Sequence, residues 1–263
     1  MLFRSGTALR VWVKNATLAM VLRADQKLAL QVTGTPDLSL GNSFASISAT
    51  EVGVIFNNTG EDVSRTVSLH IGALQASAPL DVKNGVAGLV VKGLQAQVAG
   101  FGALSGDFGI QRTSGATSTE DALLVATAKG SVALTLGTGI RAGMKDSTLA
   151  LMVRGDGTLA LQGTGSADLS LGDGFASASA TEVGVAFNNT GEDVSRTVTV
   201  TVGATSVSAP LEVKNGEAAV VAKGLKAEVV GFVTLSGDFG IQKSLGVSSA
   251  GDALLVVTDK GSA

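Results

Sequence analysis

The side chains with chemical potential in this sequence are mostly acids, and they recur. Glu51 and Glu182, Glu61-Asp62 and Glu192-Asp193, Asp107 and Asp238, and Asp121 and Asp252 stand at matching points of the chain. Paired carboxylates suit glycoside hydrolysis, where one serves as acid and the other as nucleophile or base. They also suit calcium, a hard cation that takes oxygen ligands. Sugar-cleaving clefts usually offer aromatic platforms, and this chain is 4% aromatic, with no Tyr and one Trp. No Asp-x-Asp-x-Gly loop accompanies the acids. No cofactor is expected: most of these acids read as solvated turn residues, with calcium the one ligand they could admit and Glu61, Asp62, Glu192 and Asp193 its candidate ligands.

The other reactive types are isolated. His70 is the only histidine, and its counterpart later in the chain is Thr201, so no Ser-His-Asp arrangement with a positioned base can be assembled. Arg154-Gly155-Asp156 spells a tripeptide read by some adhesion receptors, at an expected hairpin tip where it would be exposed; the earlier counterpart is Arg23-Ala24-Asp25. Asn57-Asn58-Thr59, Asn188-Asn189-Thr190 and Asn15-Ala16-Thr17 match the N-glycosylation pattern, but the short pattern arises often by chance and turn formation is the better account of them. Trp12 aligns with Gly143 and is a candidate contact or packing residue. Nothing here forms a catalytic constellation, and the expected role is not enzymatic.

Composition narrows the classes. Of 263 residues, 45% are hydrophobic and 16% charged, with 35 glycines. Mean hydropathy is +0.39, yet no run approaches the roughly 18 apolar residues of a membrane helix. A membrane barrel would carry aromatic girdles, which this composition does not supply. Net charge is −3 without a basic block, so nucleic-acid binding has no electrostatic footprint. The absence of Cys excludes disulfides and thiolate metal sites. The start lacks the apolar h-region of a signal peptide, so an export signal would lie outside this chain.

The positions of the acids follow from a repeat. Shifting the sequence by 131 residues aligns it with itself without a gap, and about 80 of the 132 paired positions are identical. TEVGVIFNNTGEDVSRTV (50–67) and TEVGVAFNNTGEDVSRTV (181–198) differ only at Ile55 and Ala186. The copies are 1–131 and 132–263, with natural loop boundaries expected near 113–121 and 244–252. No linker separates them, which fits a shared sheet better than beads on a string. The chain begins at a phase that lies inside a strand-like segment of the second copy, as expected of a window on a longer array.

Period-two alternation dominates. In RTVTVTVGATSVSAPLEV, Val198, Val200 and Val202 share one face, and after the turn at Gly203-Ala204-Thr205 the face continues through Val207, Ala209, Leu211 and Val213. This predicts a hairpin. A second is predicted around Arg154-Gly155-Asp156-Gly157, since Asp-Gly is a strong hairpin signal, and a third around Lys214-Asn215-Gly216. The long alternating run through Gly231 is expected to bend there, as its counterpart does at Gly100. In 175–187, tiny side chains including Gly184 and Ala186 imply close approach of a second layer. Val52, Val54 and Phe56 form an apolar strand face, and Ile55 falls on the opposite face, where a change of size looks easier to tolerate. About ten to twelve short strands per copy follow from usual lengths. The expected fold is all-β, an elongated tandem repeat of mostly antiparallel strands, arranged as a β-solenoid or as fused β-sandwiches.

The segments DALLVATAKGSVALTLG, STLALMVRGDGTLALQGTG, EVGVAFNNTGEDVSRTVTV and VVGFVTLSGDFGIQK resemble tandem modules of very large, repetitive bacterial surface or secreted proteins of the giant-adhesin kind. The resemblance implies an extracellular or cell-surface location and a structural role as stalk, matrix or filament, with an adhesin module recognising a cell-surface or glycan ligand as the alternative. It carries no catalytic residues, and the calcium-binding glycine-rich nonapeptide of some secreted repeats is absent. The expected partner is another repeat, and because both ends share one phase, the tail of one chain is expected to pair with the head of another in a filament.

Overall fold

A computed structural model describes residues 2–5, 9–40, 45–114, 122–136, 139–172, 174–245 and 253–262. The chain forms β1 (Leu2–Ser5), β2 (Leu9–Leu22), β3 (Leu28–Leu40), β4 (Ala45–Ser48), β5 (Glu51–Asn57), β6 (Val63–Ile71), β7 (Leu74–Val82), β8 (Val86–Val98) and β9 (Gly102–Thr113). It continues with β10 (Ala122–Leu136), β11 (Ile140–Arg154), β12 (Leu159–Leu171), β13 (Ala176–Asn188), β14 (Val194–Val202), β15 (Thr205–Val213), β16 (Ala218–Val229), β17 (Val233–Leu245) and β18 (Ala253–Ser262). The fold is all-β and antiparallel, as the alternation implies. Its strands are longer and fewer than typical lengths suggest, many running 12–15 residues.

Fourteen strands make one sheet, in the order β1-β2-β3-β4-β8-β9-β10-β11-β12-β13-β16-β17-β18, with β5 also between β3 and β8. In place of solenoid coils, the two copies lay their strands side by side in one meander. β4 and β5 together hold the position that the unbroken β13 holds in copy two. The join between copies falls inside β10, which pairs with β9 on one side and β11 on the other. β6–β7 and β14–β15 are separate two-stranded hairpins.

Turn chemistry sets where the strands reverse. Between β11 and β12, Asp156 Oδ1 accepts from Thr158 N at 2.9 Å and from Thr158 Oγ1 at 2.7 Å. At Gly231, φ is +79°, a conformation glycine adopts without a Cβ penalty. The run through Gly231 is thus two strands, β16 and β17, joined by a tight reversal; the expected bend within one strand is corrected. The turn at Lys214–Gly216 is also not a hairpin. β15 pairs with β14, whereas β16 lies between β13 and β17, so this turn carries the chain from one layer to the other.

Register shifts fall at related points of successive strand pairs, between Lys14 and Thr17, Val91 and Leu94, Lys145 and Thr148, and Ala222 and Leu225. Such bulges bend the strands and increase local twist. The recurring acids Asp107 and Asp238 serve two of them: Asp107 Oδ1 accepts from Gly93 N at 2.8 Å and Asp238 Oδ1 from Gly224 N at 2.7 Å.

The core lies between the sheet and the hairpins. Val198, Val200, Val202, Val207, Ala209, Leu211 and Val213, the face read from alternation, are all buried. Each fully buried Val or Leu stabilises the fold by about 1.5–3 kcal/mol. Beneath them lie Ile55, Val90, Ala150, Met152 and Ala160. The expected inside and outside of β5 are therefore exchanged. Ile55 is buried in the core, and Phe56 is exposed, because the hairpin layer covers the Ile55 face.

Candidate functional site

Each hairpin rises from a corner built by the duplicated Phe-Asn-Asn-Thr-Gly-Glu-Asp segment. Asn57 is buried, and its Nδ2 donates to the carbonyls of Glu61 and Val82, both at 2.9 Å. Its Oδ1 accepts from Thr59 N at 2.9 Å and Thr59 Oγ1 at 2.7 Å. Asn188 makes the same four contacts with Glu192, Val213 and Thr190. Both amide hydrogens are thereby engaged, so these residues are structural pins and not accessible glycan acceptors. Asn58 Oδ1 accepts from Leu28 N at 2.7 Å and ties the corner to β3.

The four candidate calcium ligands surround these corners, and each faces a cation. Glu61 pairs with Arg23, and Glu192 with Arg154. Asp62 accepts from Lys83 Nζ and from Asn84 N, both at 2.8 Å; Asp193 accepts from Lys214 Nζ at 2.8 Å and Asn215 N at 2.9 Å. The lysine hydrogen bond, then the backbone N–H, holds each aspartate below the ordinary carboxylate value, and the aspartate in turn raises Lys83 and Lys214. Among the described residues, no three acidic, histidine or cysteine side chains converge as a metal cluster. Glu182 pairs with Lys223 at 3.0 Å. Asp121 and Asp252, and with them most of the expected loop boundaries, lie outside the described residues.

Arg154 is buried, contrary to its expected exposure at a tip: it ends β11, donating to Thr190 O at 3.1 Å and pairing with Glu192. Gly155 and Asp156 remain exposed in the turn. His70 is exposed on β6. Trp12 sits on β2, opposite Leu2 and Asp37, and its side chain lies outside the described residues.

What the structure brings together is the copy-two hairpin and the sheet of copy one. From its corner, β14–β15 runs across the strands, over β12, β11, β10, β9 and β8. Near its base, Glu212 N donates to Gln162 Oε1 at 2.7 Å. Farther along, Val200 stands over Gly109 and Val202 over Gly53, where an added Cβ would fall 2.8 and 2.7 Å from the valines. At the tip, Gly203 meets Gln31, whose Oε1 also accepts from Asp81 N of the other hairpin at 3.0 Å. The two hairpins therefore stand in line, tip to base. The glycines are the seat, and the tiny side chains at the equivalent copy-two positions were the signal in the sequence.

Geometry explains the reach. Nine residues of strand span about 30 Å, and six neighbouring strands about 29 Å. From β2 to its counterpart β11 is six strand positions, so a hairpin covers one repeat.

The two copies differ in what is covered. At the copy-two tip, Val200, Val202 and Thr205 are 0%, 1% and 3% exposed; at the copy-one tip, Leu69, Ile71 and Leu74 are 61%, 65% and 76% exposed. The seat differs in the same way. Val90 is fully buried, and its counterpart Val221 is 36% exposed; an added Cβ at Gly184 meets nothing within 4 Å. The open copy-two seat is a shallow cavity of about 230 Å³.

Among the described residues, the reverse face of the sheet carries no hairpin. Leu18, Met20, Phe56, Leu89, Ile110, Leu149, Val185 and Ile241 are exposed along it, and a depression of about 310 Å³ lies between Phe108, Val132, Met144 and Leu149. No helix among the described residues is long and apolar enough to cross a membrane. Compared with models of protein families, with curated proteins and with solved structures, the chain matches none.

Proposed function

We propose that the chain is a repeat scaffold, a segment of a large extracellular or cell-surface protein whose copies stack into a stalk, matrix or filament. The observation that supports this most directly is the seating of the copy-two hairpin on copy one. Val200, Val202 and Val207 complete the same cluster as Ile55, Leu80 and Val90. A repeat whose core is finished by its neighbour draws stability from the interface between repeats, which is what a load-carrying array requires. The extracellular placement rests on the resemblance, and antibody labelling of intact cells tests it.

Stacking is tested by hydrogen exchange on Val200→Asp/Val202→Asp. Protection should fall in β5, β8 and β9, although the substitutions lie in the other copy. Unchanged protection there would mean that the copies are independent, and the scaffold reading would fail. A glycan array or cell-binding assay separates this reading from the adhesin alternative.

A further inference from the structure

The unseated tip and the open seat are the two halves of a contact that the chain already makes once within itself. We propose that the β6–β7 tip of one molecule inserts into the open copy-two seat of a second copy of this chain, with Ile71 over Gly184 and Gly72 over Gln162. The inference rests on the stacking reading and names its partner.

The substitutions at the two halves compensate. The free tip is larger than the seated one, with Leu69, Ile71 and Leu74 where the other has Val200, Val202 and Thr205. The open seat is roomier where it matters, with Ala186 in place of Ile55. Glu217 replaces Val86 beside it, and its Oε1 accepts from Gln242 Nε2 at 3.3 Å at the rim. Leu74 also removes a defect. The Thr205 hydroxyl is buried without a hydrogen-bond partner, and leucine at that position seats with no polar atom to strand.

The sheet agrees with this placement. A second molecule set one repeat beyond brings its β2 edge, Thr17 to Leu22, against the outer edge of β18. The internal pair β10–β11 sets Val125 opposite Met152, so the intermolecular pair sets Val256 opposite Val21. The contact joins two different surfaces, so it can repeat from molecule to molecule, and it builds a filament when the rotation between neighbours does not close into a ring.

The test uses the whole chain. Sedimentation velocity of the wild type should show mass rising with concentration, and Leu69→Asp/Ile71→Asp should weaken association at least ~10-fold; these side chains are exposed in the free chain, so the fold should survive. Since the chain has no cysteine, Ile71→Cys molecules mixed with Gly184→Cys molecules and oxidised should give a disulfide-linked pair that neither variant gives alone. A wild type that stays monomeric at its solubility limit, or association unaffected by the tip substitutions and without the mixed cross-link, overturns the proposal. In the second case the contact lies elsewhere, with the reverse apolar face as the first place to look. Failure of the stacking reading shows separately, in the Val200→Asp/Val202→Asp exchange pattern, which needs no association.

Discussion

Replacing Gly53 by alanine should weaken the fold, while the same change at Gly184 should strengthen it, although the two glycines occupy one position of the repeat. At Gly53 the new methyl would lie 2.7 Å from Val202 Cγ1 and 2.8 Å from its Cβ. Both atoms belong to a fully buried side chain, so the hairpin or the strand must shift. Overpacking of this kind costs about 1–3 kcal/mol. At Gly184 nothing stands within 4 Å, and neither glycine has a positive φ. Alanine there mainly restricts the unfolded chain and contributes about 0.4–1 kcal/mol. Thermal or urea unfolding followed by circular dichroism, at concentrations that keep the chain monomeric, reads the difference; one kcal/mol moves Tm by about 2–4 °C at this size. Adding Val202→Ala to Gly53→Ala should recover part of the loss, since the two positions touch. If both glycine variants shift in the same direction by the same amount, hairpin seating is not what distinguishes the copies, and the reasoning fails.

Three further outcomes follow. Asn188→Ala strands the Thr190 N–H and the carbonyls of Glu192 and Val213, and should cost about 1–3 kcal/mol or more; Asn57→Ala should behave alike, with equilibrium unfolding as the measurement. Thr205→Val removes the unpartnered hydroxyl at constant shape and should raise stability by about 1 kcal/mol, checked by the same melts. For pH, the folded-state values of Asp62 and Asp193 lie below the ordinary 3.8. Their contribution is present above that value and is lost as pH falls through it to the folded value. Lys83 and Lys214 are raised above 10.5, so theirs is present below 10.5 and is lost as pH rises through the folded value. Carboxyl-resolved NMR titration should find both aspartates low, and ordinary values would show that the lysine pairs do not form.

The sequence made the local elements legible and left the layers hidden. Alternation in 194–213 named the buried face of β14–β15 residue by residue, because a hairpin with one dry face needs period two wherever it lies. Gly203-Ala204 likewise marked the reversal. Nothing local could say that this hairpin leaves its own sheet and crosses β12, β11, β10, β9 and β8, the last two of them in the preceding copy. That contact joins residues far apart, and its only trace was a set of glycines and alanines on the receiving strands. Ile55 was misread for the same reason. Alternation marks Val52, Val54 and Phe56 as the apolar face of β5, and only the position of a distant hairpin puts Gly53, Ile55 and Asn57 inside instead. Arg154 was read as a tip residue because Gly-Asp-Gly follows it; its guanidinium instead folds back onto the Thr190 carbonyl of the neighbouring corner.

The six strand positions between β2 and β11 carry a consequence for how such a chain can change. Six is even. In an antiparallel meander an even step returns the chain to its starting direction, so every copy launches its hairpin from the same margin and over the same surface. Loss of one strand from a copy would reverse everything downstream: the next hairpin would depart from the opposite margin, and its tip would meet no glycine. Loss of two would preserve direction but leave a nine-residue arm too long for a four-strand stride. Length changes are therefore tolerable in the turns, while the strand count and the arm length are locked to each other.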